Sequence, residues 1–139
     1  MKVKNIISII APNIKNGGGL ELLIYLVEYI EKEYAHIKVF VYVDISLQMI
    51  ESSTNRKVLH MSSSIDKIKL FYKKIDNALY FGNLPPLRKS NNAIVYCHNA
   101  YLLMSFDILA KSSFKFMFKY TLQQIYIKYF IRNVDLVAV

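Results

Sequence analysis

Three consecutive glycines, Gly17, Gly18 and Gly19, stand between a nearly unbroken apolar run and a stretch with helical periodicity, and this junction constrains the fold more than any other part of the chain. Residues 3–11 read as a strand that is apolar on both faces, as in the middle of a covered parallel sheet. Pro12 and Asn13 close that run, and residues 12–19 read as a loop. From Leu20 to about Tyr34, the positions Leu20, Leu23, Ile24, Val27 and Ile30 recur at helical spacing, with Glu21, Glu28 and Glu31 on the polar side. Val39 to Val43, ending at Asp44, supply a second short strand of β-branched and aromatic residues. Strand, glycine loop, helix and strand complete a βαβ unit, which implies a parallel sheet.

The alternation continues downstream. Residues 45–52 read as a short helix, 57–61 as a weak strand, and 64–76 as a helix with Ile65, Ile68, Phe71 and Tyr72 on one face. Residues 78–81 read as a strand, 82–92 as a loop around Pro85 and Pro86, and 93–97 as a buried strand leading into His98 and Asn99. A helix is expected over about 114–132 and a last apolar strand over 134–139. The length of 139 residues suits one domain, so residues 1–139 are expected to form a single α/β unit, a Rossmann-like parallel sheet with helices on both faces. The final strand runs to Val139, where a ligand-binding α/β protein turns into its next loop. The chain therefore reads as cut short of a further part of its site.

Composition narrows the function classes. Hydrophobic residues make up 54% and charged residues 20%, which excludes disorder for most of the length. The apolar start, Ile6 to Ile10, is too short for a signal peptide and lacks a small-residue cleavage site. No uncharged apolar run approaches the ~18 to 20 residues that cross a bilayer. The single Cys97 cannot form an internal disulfide and reads as a small core residue, which favours a reduced, cytoplasmic setting. A formal net charge of +8 favours phosphate-bearing partners or an anionic membrane surface. Between Asp107 and Asp135 there is no acidic residue, while Lys111, Lys115, Lys119, Lys128 and Arg132 are interleaved with eight aromatic and methionine side chains, from Phe114 to Phe130. Such a helix can lie on an anionic leaflet. The competing reading is an ordinary covering helix with its aromatics in the core; Lys111, Lys115 and Lys119 share a face, and Lys128 and Arg132 point nearly opposite. No recognised nucleic-acid motif, zinc spacing or Ser, His and Asp arrangement accompanies the charge, so neither nucleic acid nor a metal is expected. His36 and His60 read as surface or loop residues.

The chemistry concentrates at the glycine run and at His98. Glycines between a strand and a helix permit positive φ and let a phosphate approach backbone N–H groups at the positive end of the helix. A tight turn without ligand is the alternative. A P-loop is excluded, because no Gly-Lys-Ser or Gly-Lys-Thr follows. A dinucleotide fingerprint is only partly met: Leu22 stands where the third glycine belongs and should crowd the helix against the sheet, although Asp44 imitates the ribose-binding acid. His98 follows a buried strand and so belongs on the same rim as the glycines, where an imidazole can donate to a sugar hydroxyl or stabilise developing charge.

The segment Asn16-Gly17-Gly18-Gly19-Leu20-Glu21-Leu22-Leu23 resembles the GG-x-E loop that opens the N-terminal domain of retaining GT-B glycosyltransferases. Tyr80-Phe81-Gly82-Asn83-Leu84-Pro85-Pro86, the strand ending in His98-Asn99, and Asn133-Val134-Asp135-Leu136-Val137-Ala138-Val139 resemble that domain in the same order, over essentially the whole chain. The resemblance implies the N-terminal, acceptor-side half of an enzyme that moves a sugar from a nucleotide-sugar donor to a lipid-linked or polysaccharide acceptor. It implies Gly17, Gly18, Gly19 and Asn99 beside the donor phosphates and acceptor, and His98 against the transferred sugar. No cofactor or metal is implied beyond the donor itself. The third glycine departs from the family's pattern, and the C-terminal nucleotide-sugar domain is missing, so the chain alone is expected to be inactive. The implied location is the cytoplasm, peripheral to the inner face of the membrane. Two other classes compete: a non-enzymatic membrane-surface or partner-binding α/β domain, and a dinucleotide-binding oxidoreductase domain.

Overall fold

A computed structural model describes residues 5–99 and 104–139. Ile6–Ala11 (β1), Lys38–Asp44 (β2), Arg56–Met61 (β3), Ala78–Phe81 (β4), Ala93–Tyr96 (β5) and Leu136–Ala138 (β6) lie in one sheet, ordered β3-β2-β1-β4-β5-β6. Every neighbouring pair is parallel. This is the Rossmann-like α/β fold expected from the sequence. The strand order reverses between β1 and β4, so the loops after these strands diverge to opposite faces and leave a crevice at the carboxyl rim.

β1 carries both cores because its side chains alternate. Ile9 packs with α1 (Gly17–Glu33), whose Leu23 and Val27 rest on Val39, Val41 and Val43 of β2. Ile10 faces the other way, into a core with Leu70, Phe71, Tyr80, Val95 and Val134. The residues after Asp44 turn instead of forming the expected helix: the Asp44 carboxylate accepts from the Ser46 amide (3.0 Å) and hydroxyl (2.6 Å), an Asx-type turn that competes with helical bonding. Leu47 and Ile50 of this connection fill the α1 side of the core.

α2 (Ser64–Tyr72) is capped by Ser63, whose hydroxyl accepts from the Asp66 amide at 3.1 Å. It stops four residues short of the expected end, and of the expected face Ile65, Ile68, Phe71 and Tyr72 only Phe71 is buried. Leu70 and Phe71 point inward, while Ile65, Ile68 and Tyr72 are 64%, 62% and 60% exposed. The periodicity is shared between two faces, and the sheet packs against the one that Ile75, just beyond the helix, continues.

The β5–β6 crossover contains a short helix absent from the sequence reading, α3 (Phe106–Leu109), and then α4 (Phe114–Phe130), ending in a 3-10 turn over Ile131–Asn133. Leu109 and Tyr120 form a small separate core. α4 docks through polar contacts: the Tyr126 hydroxyl donates to the Pro85 carbonyl and the Asn133 amide side chain to that of Pro86, both at 2.9 Å. Asp135 fixes the start of β6, donating its N–H to the Ala93 carbonyl (2.8 Å) and accepting the Ala93 N–H on its carboxylate (3.1 Å). Helices thus cover both faces.

Candidate functional site

The three glycines belong to the first turn of α1 and not to the preceding loop. Each has a different reason to be glycine. Gly17 sits at φ +70, in the left-handed region that disfavours side chains. Gly18 faces open space. At Gly19 an added Cβ would lie 3.3 Å from His98 Nε2 and 3.4 Å from Ile14 Cδ1. Glycine and histidine, 79 positions apart in sequence, therefore meet at the rim. Among the described residues, no side chain caps this helix at Asn16 and no acid occupies its first turn, so neither screens the positive end of its dipole.

His98 is held from behind. Its N–H and that of Asn99 both donate to Asn83 Oδ1, at 2.9 and 3.1 Å. Asn83 adopts φ +74 and donates its own N–H to the Tyr96 carbonyl at 3.2 Å. The imidazole stacks on Phe81 and Tyr96, each with ring centroids 6.0 Å away. Partial burial lowers its pKa below the ordinary 6.5, which favours neutral imidazole at pH 7. Asn99 contacts the Tyr120 hydroxyl through its side-chain amide at 3.3 Å. Asn83 is the residue that sequence reasoning did not assign to the site; the Gly-Asn pair after a strand was its only signal.

Asp44 ends β2 on the same rim, but its carboxylate is engaged. Oδ2 meets the Lys67 ammonium at 2.5 Å and that of Lys15 at 3.5 Å, and Oδ1 takes the two Ser46 bonds. These contacts hold its pKa well below the usual carboxylate range, the Lys67 bond contributing most. An acid so occupied is a poor partner for ribose hydroxyls. Leu22, expected to crowd the helix against the sheet, does not: it is 39% exposed, and Leu23 makes the helix-to-sheet contact.

Cys97 is buried in the core beside β5, and burial pushes its thiol pKa up, consistent with a packing role. His60 lies in β3 with Nε2 3.2 Å from the Leu47 carbonyl oxygen. His36 is exposed against Tyr34. Among the described residues, no three His, Cys, Asp or Glu groups cluster as a metal site would require.

Lys111, Lys115, Lys119, Lys128 and Arg132 are all exposed. Between them runs an apolar stripe that faces solvent: Phe114, Phe118, Leu122, Ile125 and Tyr129 are 47–76% exposed. At about 100° per residue the stripe is about 80° wide, with Lys115 and Lys119 along one border and Lys128 along the other. The opposed cations therefore flank one apolar surface, a relation the charge spacing alone had hidden. Among the described residues, no helix is long and apolar enough to cross a membrane. In comparisons with known proteins, no family, no curated protein and no solved structure matches this chain.

Proposed function

We propose that this chain is the acceptor-side half of a glycosyltransferase that moves a sugar from a nucleotide-sugar donor with retention of configuration. The observation that carries the reading is the 3.3 Å approach between the Gly19 Cβ position and His98 Nε2. It brings an uncapped helix N-terminus, suited to a diphosphate, against a neutral imidazole, suited to a sugar hydroxyl. In the reaction the bond from the anomeric carbon to the diphosphate breaks. The acceptor oxygen takes that carbon, and its proton leaves toward the departing phosphate. Gly17, Gly18 and Gly19 would offer backbone N–H groups where negative charge develops, and His98 would orient the sugar. A second domain must then supply most of the nucleotide contacts, which makes the isolated chain inactive.

The test starts from the coding DNA downstream of the codon for Val139. The reading expects it to encode a second α/β domain. The joined protein should release nucleoside diphosphate from a nucleotide-sugar, and His98→Ala should reduce turnover at least ~100-fold, of the order seen when one transition-state donor is removed. Near-normal turnover in that variant removes His98 from the site, and a frame without such a domain overturns the reading.

A second reading, a domain that docks on anionic membranes, is favoured by the exposed stripe on α4 and its flanking lysines. The two combine if the acceptor is lipid-linked. Phe118→Asp should abolish salt-sensitive binding to vesicles containing phosphatidylglycerol; unchanged binding would place the membrane contact elsewhere.

A further inference from the structure

A second cleft opens on the α2 side of the loop that follows β1, with a volume of about 460 Å³. Lys15 comes from that loop, Lys67, Ile68 and Phe71 from α2, Leu87 from the β4–β5 connection and Tyr126 from α4. Its wall is thus apolar and its rim cationic. The rim charge is unbalanced: two ammonium groups share the single Asp44 carboxylate, leaving one net positive charge. Lys67 is tightly held at 2.5 Å, with its side chain 19% exposed. Lys15, at 3.5 Å and 58% exposed, is the one free to turn to a ligand. Asp66 keeps its own negative charge, held by the Ser62 and Ser63 hydroxyls, but it does not line the cleft. Ser64, at the first position of α2, also lines the cleft and adds a polar group on the cationic side.

We propose that this cleft binds a phosphorylated amphiphile, with its phosphate on Lys15 and Lys67 and its chain against Ile68, Phe71 and Leu87. The two ammonium groups converge on one point, the Asp44 oxygen, so an anion placed beside it meets both. An apolar body of a few carbons adds affinity by covering Ile68, which is otherwise 62% exposed. The proposal does not depend on the transfer reaction, because binding is read without any sugar nucleotide.

Octyl phosphate, kept below its micelle concentration, is the probe, titrated calorimetrically into the intact chain. It should bind at least tenfold more tightly than inorganic phosphate or octanol. Lys15→Gln and Ile68→Glu should each weaken it at least fivefold; both positions are exposed, so melting temperatures should not move. Lys38→Gln, exposed at the start of β2 and outside the cleft, should leave it unchanged. Equal binding of inorganic phosphate would reduce the cleft to a simple anion site, and equal binding of octanol to an apolar groove; either overturns the proposal. So does the absence of octyl phosphate binding, or binding indifferent to Lys15→Gln and Ile68→Glu.

Discussion

Replacing Gly19 by alanine should separate the stability of this fold from the geometry of its rim. Alanine is preferred over glycine inside a helix by ~0.8 to 1 kcal/mol, and Gly19 lies within α1 at negative φ. Against that gain, the new Cβ would stand 3.3 Å from His98 Nε2 and 3.4 Å from Ile14 Cδ1, so both must yield by a few tenths of an ångström. A displaced ring costs of order 0.5 to 1.5 kcal/mol when pushed off its rotamer. The two effects nearly cancel, and Gly19→Ala should melt within roughly 4 °C of the parent. Its neighbours behave differently. Gly18→Ala meets nothing within 4 Å and should stabilise by ~0.5 to 1 kcal/mol. Gly17→Ala forces a side chain to φ +70 and should cost ~1 to 2 kcal/mol. Thermal unfolding followed by circular dichroism gives the order Gly18→Ala, then parent and Gly19→Ala together, then Gly17→Ala. Imidazole resonances supply the second readout: His98 should shift in Gly19→Ala and stay in place in Gly18→Ala. A Gly19→Ala protein as unstable as Gly17→Ala, with unmoved His98 resonances, would refute the proposed contact.

Asp44→Asn should cost ~2 to 3 kcal/mol, because Lys67 is left with a weakened partner in a mostly buried setting. The Asp44 pKa is lowered in the folded chain, so its stabilisation is complete above the unfolded value near ~4 and fades as pH falls below it; the melting gap between parent and Asp44→Asn should therefore narrow from pH 7 to pH 3. An NMR titration should place the His98 midpoint below ~6.5, in the direction burial imposes, and a midpoint at or above that value would contradict the packing of its ring.

Local chemistry made the sheet legible. β1, β2, β4 and β5 are short apolar or β-branched runs with clear punctuation, and α1 has a single apolar stripe, so residue type and period agree. Agreement fails where two faces compete. On α2 the stripe of Ile65, Ile68 and Tyr72 is as good a candidate for burial as Leu70 and Phe71, and only the position of the sheet decides. On α4 the sequence shows aromatics all round, and the exposed set becomes visible only once Tyr126 is anchored to Pro85. The rim was legible in part: strand ends placed Gly17, Gly18, Gly19 and His98 on one edge, whereas the Lys15 and Lys67 pair on Asp44 joins residues from three separate segments with no shared motif.

These observations give the short loop after β1 a definite role. Ile14 is buried and its Cδ1 lies 3.4 Å from the Cβ position of Gly19 and 3.5 Å from that of Gly82, so it plugs the crevice where the strand order reverses. Its neighbours Asn13 and Lys15 are exposed and line the cationic cleft on the α2 side. On the other side of the same plug Gly19 faces His98. One buried residue thus separates two polar sites on one rim and ties the position of each to the packing of the other. A loop built this way has little freedom to move one site without the other, because the Ile14 side chain is buried in the same core as Leu23 and Phe81. That coupling follows from the parallel sheet itself: the switch in strand order supplies the crevice, and the first loop after it must both fill the gap and present its neighbours to either side.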